Sequence, residues 1–319
     1  MESFGWAVIG SGYIVKKVLR EITKNKEHSV ISIYSHNNES AMKISSKYGG
    51  KVFTDFDQAI LAPGVQCVYI ATPNSSHLYY LNRCIEWGVP VLCEKPIVMN
   101  TEELNKIIEK AENNKVYFSE VMSFKFSPIY QEFHNMVDMG LFGDLKKIQI
   151  DFGFDALSIT KRKYLLSPKD GGGALMDIGV YLISFVEDFL GYTNDISNKA
   201  VFYKKQVDII DDMTLVYKNI KCHLSCYFNQ ITKTQAELVF QKGNIIIPRF
   251  FQPYEIYICQ DEKNIVLKEP FSYKYQFDCV KRDIQMKRSD NHIHTKRAII
   301  NTMKMIDQAK SKITLHNVN

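Results

Sequence analysis

The sequence predicts an α/β protein: a doubly wound parallel sheet at the N-terminus, then an α+β domain built on an open, largely antiparallel sheet. Three observations predict it. Over roughly the first 120 residues, short apolar runs alternate with helical patterns. A glycine pair stands directly after the first of those runs. From residue 199 onward the chain is mostly β-like runs separated by turn signals. At 319 residues it is also too long for one comfortable core, and the change of pattern divides it into residues 1–120 and 121–319.

In the first part the strand-like runs are Trp6–Ile9, Val30–Tyr34, Val68–Ala71, Val89–Cys93 and Val116–Ser119. The clearest helical stretch between them is Thr101–Asn113, where Leu104, Ile107, Ile108 and Ala111 form one apolar stripe. Asn100 and Glu103 have the spacing of a capping box at its start. Strands and helices joined this way imply right-handed crossovers and a parallel sheet covered on both faces.

In the second part a helix over Pro128–Met139 leads into the alternating run Leu145–Phe152. Further strands are expected at Ala200–Tyr203, Met213–Tyr217, Cys222–Phe228, Ala236–Gln241, Ile245–Ile247, Ile256–Cys259 and Ile265–Leu267. A last helix, about His294–Ala309, is expected to pack back on one of the domains, with the first as the candidate.

Composition excludes several function classes. Apolar residues make up 45% and charged residues 24%, as in folded soluble proteins. A net charge of +5 is spread over 40 basic and 35 acidic residues, with no run dense enough for nucleic acid or a membrane surface. Lys281–Arg297 mixes both signs and reads as solvated surface. No apolar run approaches the roughly 20 residues of a membrane span, and Met1-Glu2-Ser3 does not open a signal peptide. The seven cysteines lack a framework spacing, which fits reduced thiols and a cytoplasmic setting. Cys222 and Cys226 share one face of a β run; core packing is their ordinary role, and no metal is expected.

Three motifs carry chemistry. In Gly10-Ser11-Gly12-Tyr13-Ile14-Val15, the two glycines supply a tight turn and close approach to a pyrophosphate at a helix N-terminus. Val15 takes the place usually held by a third small residue. The second strand then ends in Ser35-His36-Asn37-Asn38, with no acid before Glu39. An acid there would bind a free ribose 2′-hydroxyl, so this set favours NADP over NAD, which stays possible. His36 is equally compatible with an ordinary surface residue.

Two loops leave later strands at the ligand-binding edge of such a sheet, Ala71-Thr72-Pro73-Asn74-Ser75-Ser76-His77 and Cys93-Glu94-Lys95-Pro96. The bond before Pro96 is a candidate cis peptide. Glu94-Lys95 reads either as a surface ion pair or, past a buried strand, as a pair with Lys95 facing the site. The third motif, Asp170-Gly171-Gly172-Gly173-Ala174-Leu175-Met176-Asp177-Ile178-Gly179-Val180-Tyr181, runs into an apolar helix of about 17 residues. Four apart, Asp177 and Tyr181 share one helical face that is otherwise apolar.

Together these motifs resemble the glucose–fructose oxidoreductase, inositol dehydrogenase and MocA family, from residue 4 to about 190. The matching elements are Gly10-Ser11-Gly12, Thr72-Pro73-Asn74 with His77, Glu94-Lys95-Pro96, and the run ending in Leu-Met-Asp-Ile-Gly. The resemblance implies hydride transfer between a nicotinamide and a carbinol or carbonyl carbon of a sugar, polyol or cyclic diol. By position Lys95 matches the catalytic lysine and Asp177 the substrate-binding aspartate. Many members carry His at Tyr181. Tyr there resembles the branch of dihydrodiol and sugar dehydrogenases, where it is the proton-transfer residue. Cofactor contacts are expected from Gly10, Gly12, Tyr13, Ile14, Ser35, His36, Thr72, Pro73, Asn74, His77, Glu94 and Lys95.

One departure is Leu165, where relatives often have Arg; Arg162 lies nearby. A tyrosine of pKa about 10 is a poor base at neutral pH, and a nearby ammonium lowers that value. The chemistry expected of Tyr181 and Lys95 follows from this. Specificity is expected in the loop from Phe154 to Asp170, and a homodimer or homotetramer through the open sheet. The alternatives are a non-catalytic NAD(P)-binding regulator and an NAD-dependent glycosidase on the same fold.

Overall fold

The computed structural model describes residues 3–24, 26–159, 163–261 and 263–315. The chain divides into two compact units. One holds the described residues up to Met122 with Ser272–Lys296; the other holds Ser123–Phe271 with those from Arg297 on.

In the first unit, strands β1 (Phe4–Ile9), β2 (His28–Tyr34), β3 (Lys51–Phe53), β4 (Cys67–Ile70), β5 (Val91–Cys93) and β6 (Phe118–Glu120) form one sheet ordered β3-β2-β1-β4-β5-β6. Every pairing in it is parallel. Helices α1 (Tyr13–Ile22), α2 (Asn38–Tyr48), α3 (Phe56–Ile60), α4 (His77–Glu86) and α5 (Thr101–Asn114) make the crossovers. β1, β4 and β5 are continuous buried runs because helices cover both faces of such a sheet. All six residues of β1 are buried. The order reverses between β1 and β4, and ligands bind at that switch point.

The start of α5 shows how the caps work. Asn100 accepts from the Glu103 N–H at 2.9 Å, while Glu103 reaches past Asn100 to accept from the Met99 N–H at 3.0 Å. Leu104, Ile107 and Ala111 form the buried stripe, with Ile108 at its margin.

The second unit opens with α6 (Pro128–Asp138) and β7 (Leu145–Gly153). A π-turn over Leu175–Gly179 runs without a break into α7 (Val180–Leu190). There follow β8 (Ile196–Tyr203), β9 (Val207–Tyr217), β10 (Ile220–Tyr227), β11 (Gln235–Phe240), β12 (Gly243–Pro248), β13 (Glu255–Gln260) and β14 (Lys263–Lys268). Then α8 (Lys274–Gln285) belongs to the first unit, and α9 (Lys296–Ser311) and β15 (Ile313–Leu315) close the second. The nine strands order as β14-β13-β12-β11-β7-β10-β9-β8-β15. Neighbours are antiparallel except β7 with β10 and β8 with β15. Alternate residues such as Ile148, Ile150, Leu224, Leu238 and Ile256 point to the buried face. The other face carries polar side chains with exposed Val239, Ile246, Tyr257 and Val266.

Four expectations need correction. The three-residue β3 carries no buried apolar signal, and so escaped the pattern reading. The stretch Lys281–Arg297 is not simply solvated surface, since Asp283, Asn291 and His294 within it are buried. Segment Ser272–Lys296, with α8, rejoins the first unit, whereas the last helix lies almost wholly in the second. The helix carrying Asp177 is not α-helical from its start but opens with the π-turn.

Candidate active site

In the first unit, the glycine turn sits at the switch point. Gly10 has φ +113°, and a Cβ on it would lie 2.3 Å from the Ala71 carbonyl oxygen, so no other residue fits. Gly12 differs: it is the extended N-cap of α1, and a Cβ there would meet nothing within 4 Å. Neither a side-chain cap nor an acid occupies the first turn of α1. A positive helix end behind open space suits a pyrophosphate. Tyr13 is exposed and Ile14 half-buried, while Val15 is buried against the sheet.

The end of β2 is tied to this turn by a hydrogen bond of 2.8 Å between the Ser11 and Ser35 hydroxyls. Asn37 caps α2 by accepting from Ser40 N–H. His36 is exposed, and its Nε2 lies 3.0 Å from the Tyr80 hydroxyl. Burial pushes the Tyr80 phenol well up, so it keeps its proton and can donate to that nitrogen. Glu39, the first acid past the strand, is exposed and paired with Lys43.

His77 was expected among the cofactor contacts, and its surroundings assign it a different task. Buried, it places Nε2 3.0 Å from the Thr72 carbonyl and Nδ1 2.9 Å from the Pro96 carbonyl. Burial lowers its pKa and keeps the ring neutral, so it donates its one proton to one carbonyl or the other. It joins the two loops that follow β4 and β5. Ser76 reinforces the first loop: its hydroxyl donates to the Pro73 carbonyl and meets the Thr72 hydroxyl, each at 2.8 Å.

The Lys95–Pro96 bond is cis. Glu94 is buried, not part of a surface pair, and Lys95 beside it is half-buried. Tyr69 donates to Glu94 at 2.7 Å, and burial pushes that carboxyl up. Below the loop, Glu120 accepts from the Ile97 N–H at 2.9 Å and faces His294 Nε2 at 2.9 Å. Gln276 donates to the Glu120 carbonyl at 2.7 Å and accepts from the Met122 N–H at 3.1 Å. Sequence reasoning missed this floor. An acid inside the apolar stretch Val116–Met122 was the one signal that pointed to it.

In the second unit, the glycine run folds tightly. A Cβ on Gly172 would lie 2.4 Å from the Leu165 carbonyl oxygen. Gly173 has φ +123°, and a Cβ there would lie 2.3 Å from an Asp208 carboxylate oxygen. Leu165 is buried, and its carbonyl accepts from the Gly173 N–H at 2.9 Å. It therefore shapes the run through its backbone. Arg162 lies outside the described residues.

From Gly173 to Glu187 every residue is buried except Asp177 and Tyr181, both half-buried. The π-turn adds one residue to the turn they span and still leaves both on the open side. The Tyr181 ring lies 6.3 Å from Phe152 and 5.8 Å from Phe251, which stack on each other at 4.4 Å. A carboxylate and a phenol thus open beside an apolar, flat-faced wall. That wall was not foreseen. Cys222 and Cys226, by contrast, are buried on the inner face of β10.

Comparison with known proteins adds the family. Residues 4–121 match the oxidoreductase family with an NAD-binding Rossmann fold, and residues 130–246 match the GFO/IDH/MocA C-terminal domain. Mouse trans-1,2-dihydrobenzene-1,2-diol dehydrogenase is 23% identical over 264 residues, 81% of this chain and 78% of the relative. The scyllo-inositol 2-dehydrogenase (NADP(+)) of Bacillus subtilis is 24% identical over 321 residues, 97% of this chain and 96% of the relative. A solved 3-ketoreductase from Actinomadura kijaniata, in complex with NADP and TDP-benzene, has a TM-score of 0.86 at 19% identity, covering 98% of each chain. Both domain matches follow in order along one chain whose first sheet has the nucleotide-binding strand order and whose glycine turn leaves room for a pyrophosphate. The protein therefore belongs to the GFO/IDH/MocA family of NAD(P)-dependent oxidoreductases, enzymes that act on CH–OH groups.

Proposed function

We propose that this enzyme uses NADP to interconvert a carbinol and a carbonyl on a ring-shaped substrate, a cyclic diol, polyol or sugar, with Tyr181, Lys95 and Asp177 carrying the chemistry. The observation that carries the assignment is the face of the helix after the glycine run. Asp177 and Tyr181 alone are open to solvent between Gly173 and Glu187, beside the stacked Phe152 and Phe251. Such a wall favours the flat apolar face of a ring over a flexible open chain.

The nicotinamide, when bound, takes or gives the hydride. As the alcohol is oxidised, its hydroxyl proton passes to the Tyr181 oxygen; in reduction the same oxygen returns it. Lys95 is assigned the polarisation of the substrate oxygen. Asp177 accepts a hydrogen bond from a neighbouring hydroxyl and so selects diols over simple alcohols. Gly10, Gly12, Tyr13, Ile14 and the Thr72-Pro73-Asn74 loop hold the dinucleotide. Ser35 and His36 take the 2′-phosphate, and the first acid past them, Glu39, is paired with Lys43.

We also infer a cytoplasmic homo-oligomer paired through the free sheet face. The support is the exposed row Ile246, Tyr257 and Val266 beside Val239, together with seven free cysteines.

The test is Tyr181→Phe, assayed with NADP and a panel of cyclic diols, inositols and sugars. Turnover should fall about 10²-fold or more while NADP binding is retained. Near-normal turnover removes Tyr181 from the reaction.

A further inference from the structure

The helix that presents Asp177 and Tyr181 begins without a cap of its own, since Ala174 has no side-chain acceptor for the first N–H groups. The acceptor comes from β9. Asp208 takes the Leu175 N–H at 2.7 Å, and its other oxygen occupies the space where a Cβ on Gly173 would stand.

Asp208 reaches this place through a bulge. Val201 pairs with Ile210, but Phe202 pairs with Asp208, so Ile209 is an extra residue on β9. The bulge brings Asp208 and Asp211, three apart, to the same side of the strand. Asp211 is fully buried; Asn198 donates to one of its oxygens at 2.7 Å, and the Cys226 sulfur lies 3.9 Å from the other. The two carboxyl groups are in hydrogen-bond contact. Two carboxylates cannot hydrogen-bond without a proton between them.

We propose that Asp208 and Asp211 share one proton, and that this pair acts as the positioning element that holds the start of the helix carrying Asp177 and Tyr181. The inference rests on the assignment of those two residues to the reaction. Burial pushes the Asp211 carboxyl well up, so the proton resides there and is donated to Asp208. Asp208 accepts the Leu175 N–H at the positive end of the helix. Beside Asp211 the Asp212 carboxyl opposes a second negative charge, while the Cys226 thiol, kept protonated by burial, turns its sulfur to an Asp211 oxygen. Because the folded state raises the Asp211 pKa, the contribution of the pair is complete below the ordinary carboxylate range. That contribution is lost as pH rises and the shared proton leaves.

Three variants test the proposal. Asp211→Ala removes the shared proton and should lower kcat about ten- to a hundredfold through misplacement of Tyr181, with NADPH affinity unchanged. Asp211→Asn supplies an amide donor in its place, and should restore kcat and abolish the loss of activity with rising pH that the pair imposes on the wild type. Infrared spectra should show a protonated-carboxyl band in the wild type that Asp211→Asn removes, a readout that stands even if the alanine variant does not fold. A wild-type spectrum whose carboxyl bands are unchanged by Asp211→Asn overturns the proposal, as does an asparagine variant as impaired as the alanine one. Tyr181→Phe with normal turnover would overturn the underlying site assignment instead, leaving the infrared result to stand or fall alone.

Discussion

Two glycine-rich stretches precede helices in this chain, and they do opposite things. At Gly12 the position of a missing side chain faces empty space, and α1 starts with no acid and no cap. At Gly172 and Gly173 the same position is filled by the protein's own atoms, a carbonyl oxygen and a carboxylate at 2.4 and 2.3 Å. The first stretch makes room for a ligand at a helix end, and the second lets the chain close on itself and be capped from a neighbouring strand. A glycine in a site motif thus has two distinct uses, and only the contacts around its Cα tell them apart.

Substitutions at the two places should separate these uses. The largest effect is expected from Gly173→Ala, which puts a side chain into a left-handed backbone and against Asp208. It should cost about 3 kcal/mol or more of stability in denaturant unfolding. A loss below about 0.5 kcal/mol would mean the run has slack that its geometry does not suggest. Gly12→Ala should leave the unliganded protein as stable as before, since nothing is displaced. Its NADP affinity should fall about tenfold, some 1.4 kcal/mol, seen as a smaller thermal shift with the cofactor. Equal losses in both properties would erase the contrast.

The smallest effect belongs to His77→Gln. Burial depresses the His77 pKa, so the unfolded chain takes up a proton below about pH 6.5 more readily than the folded one, and stability falls as the pH drops. The variant should flatten that slope while keeping one of the two loop contacts. An unchanged slope would assign the acid sensitivity to another group.

Much of this was legible beforehand, for reasons that can be located. The buried runs of β1, β4 and β5 have no polar alternation, and the capping signal at Asn100 is local, so both can be read from a few adjacent residues. Gly10, Lys95, Asp177 and Tyr181 stand in short motifs for the same reason. What could not be read depends on distant partners. The floor under Lys95 joins Tyr69, Glu120, Gln276 and His294 across more than half of the chain. Asp208 faces the glycine run only because of a one-residue bulge, which no pattern of period two announces. Helix α8 hides its apolar side, Phe277, Cys279 and Val280, among seven polar or charged residues.

That same helix carries a consequence for how the protein is made. Phe277 packs 4.7 Å from Trp6 and 5.3 Å from Tyr69, Gln276 seals the end of β6, and Tyr117 bonds Asp283 at 3.0 Å. The nucleotide-binding unit is therefore split in sequence, and a ribosome must synthesise eight of the nine strands of the other unit's sheet before it supplies this last piece. During translation the first six strands wait with Trp6 and Tyr69 uncovered, as surfaces for a chaperone. A fragment ending at Met122 would keep them that way, so the cofactor-binding half cannot be excised as one continuous piece.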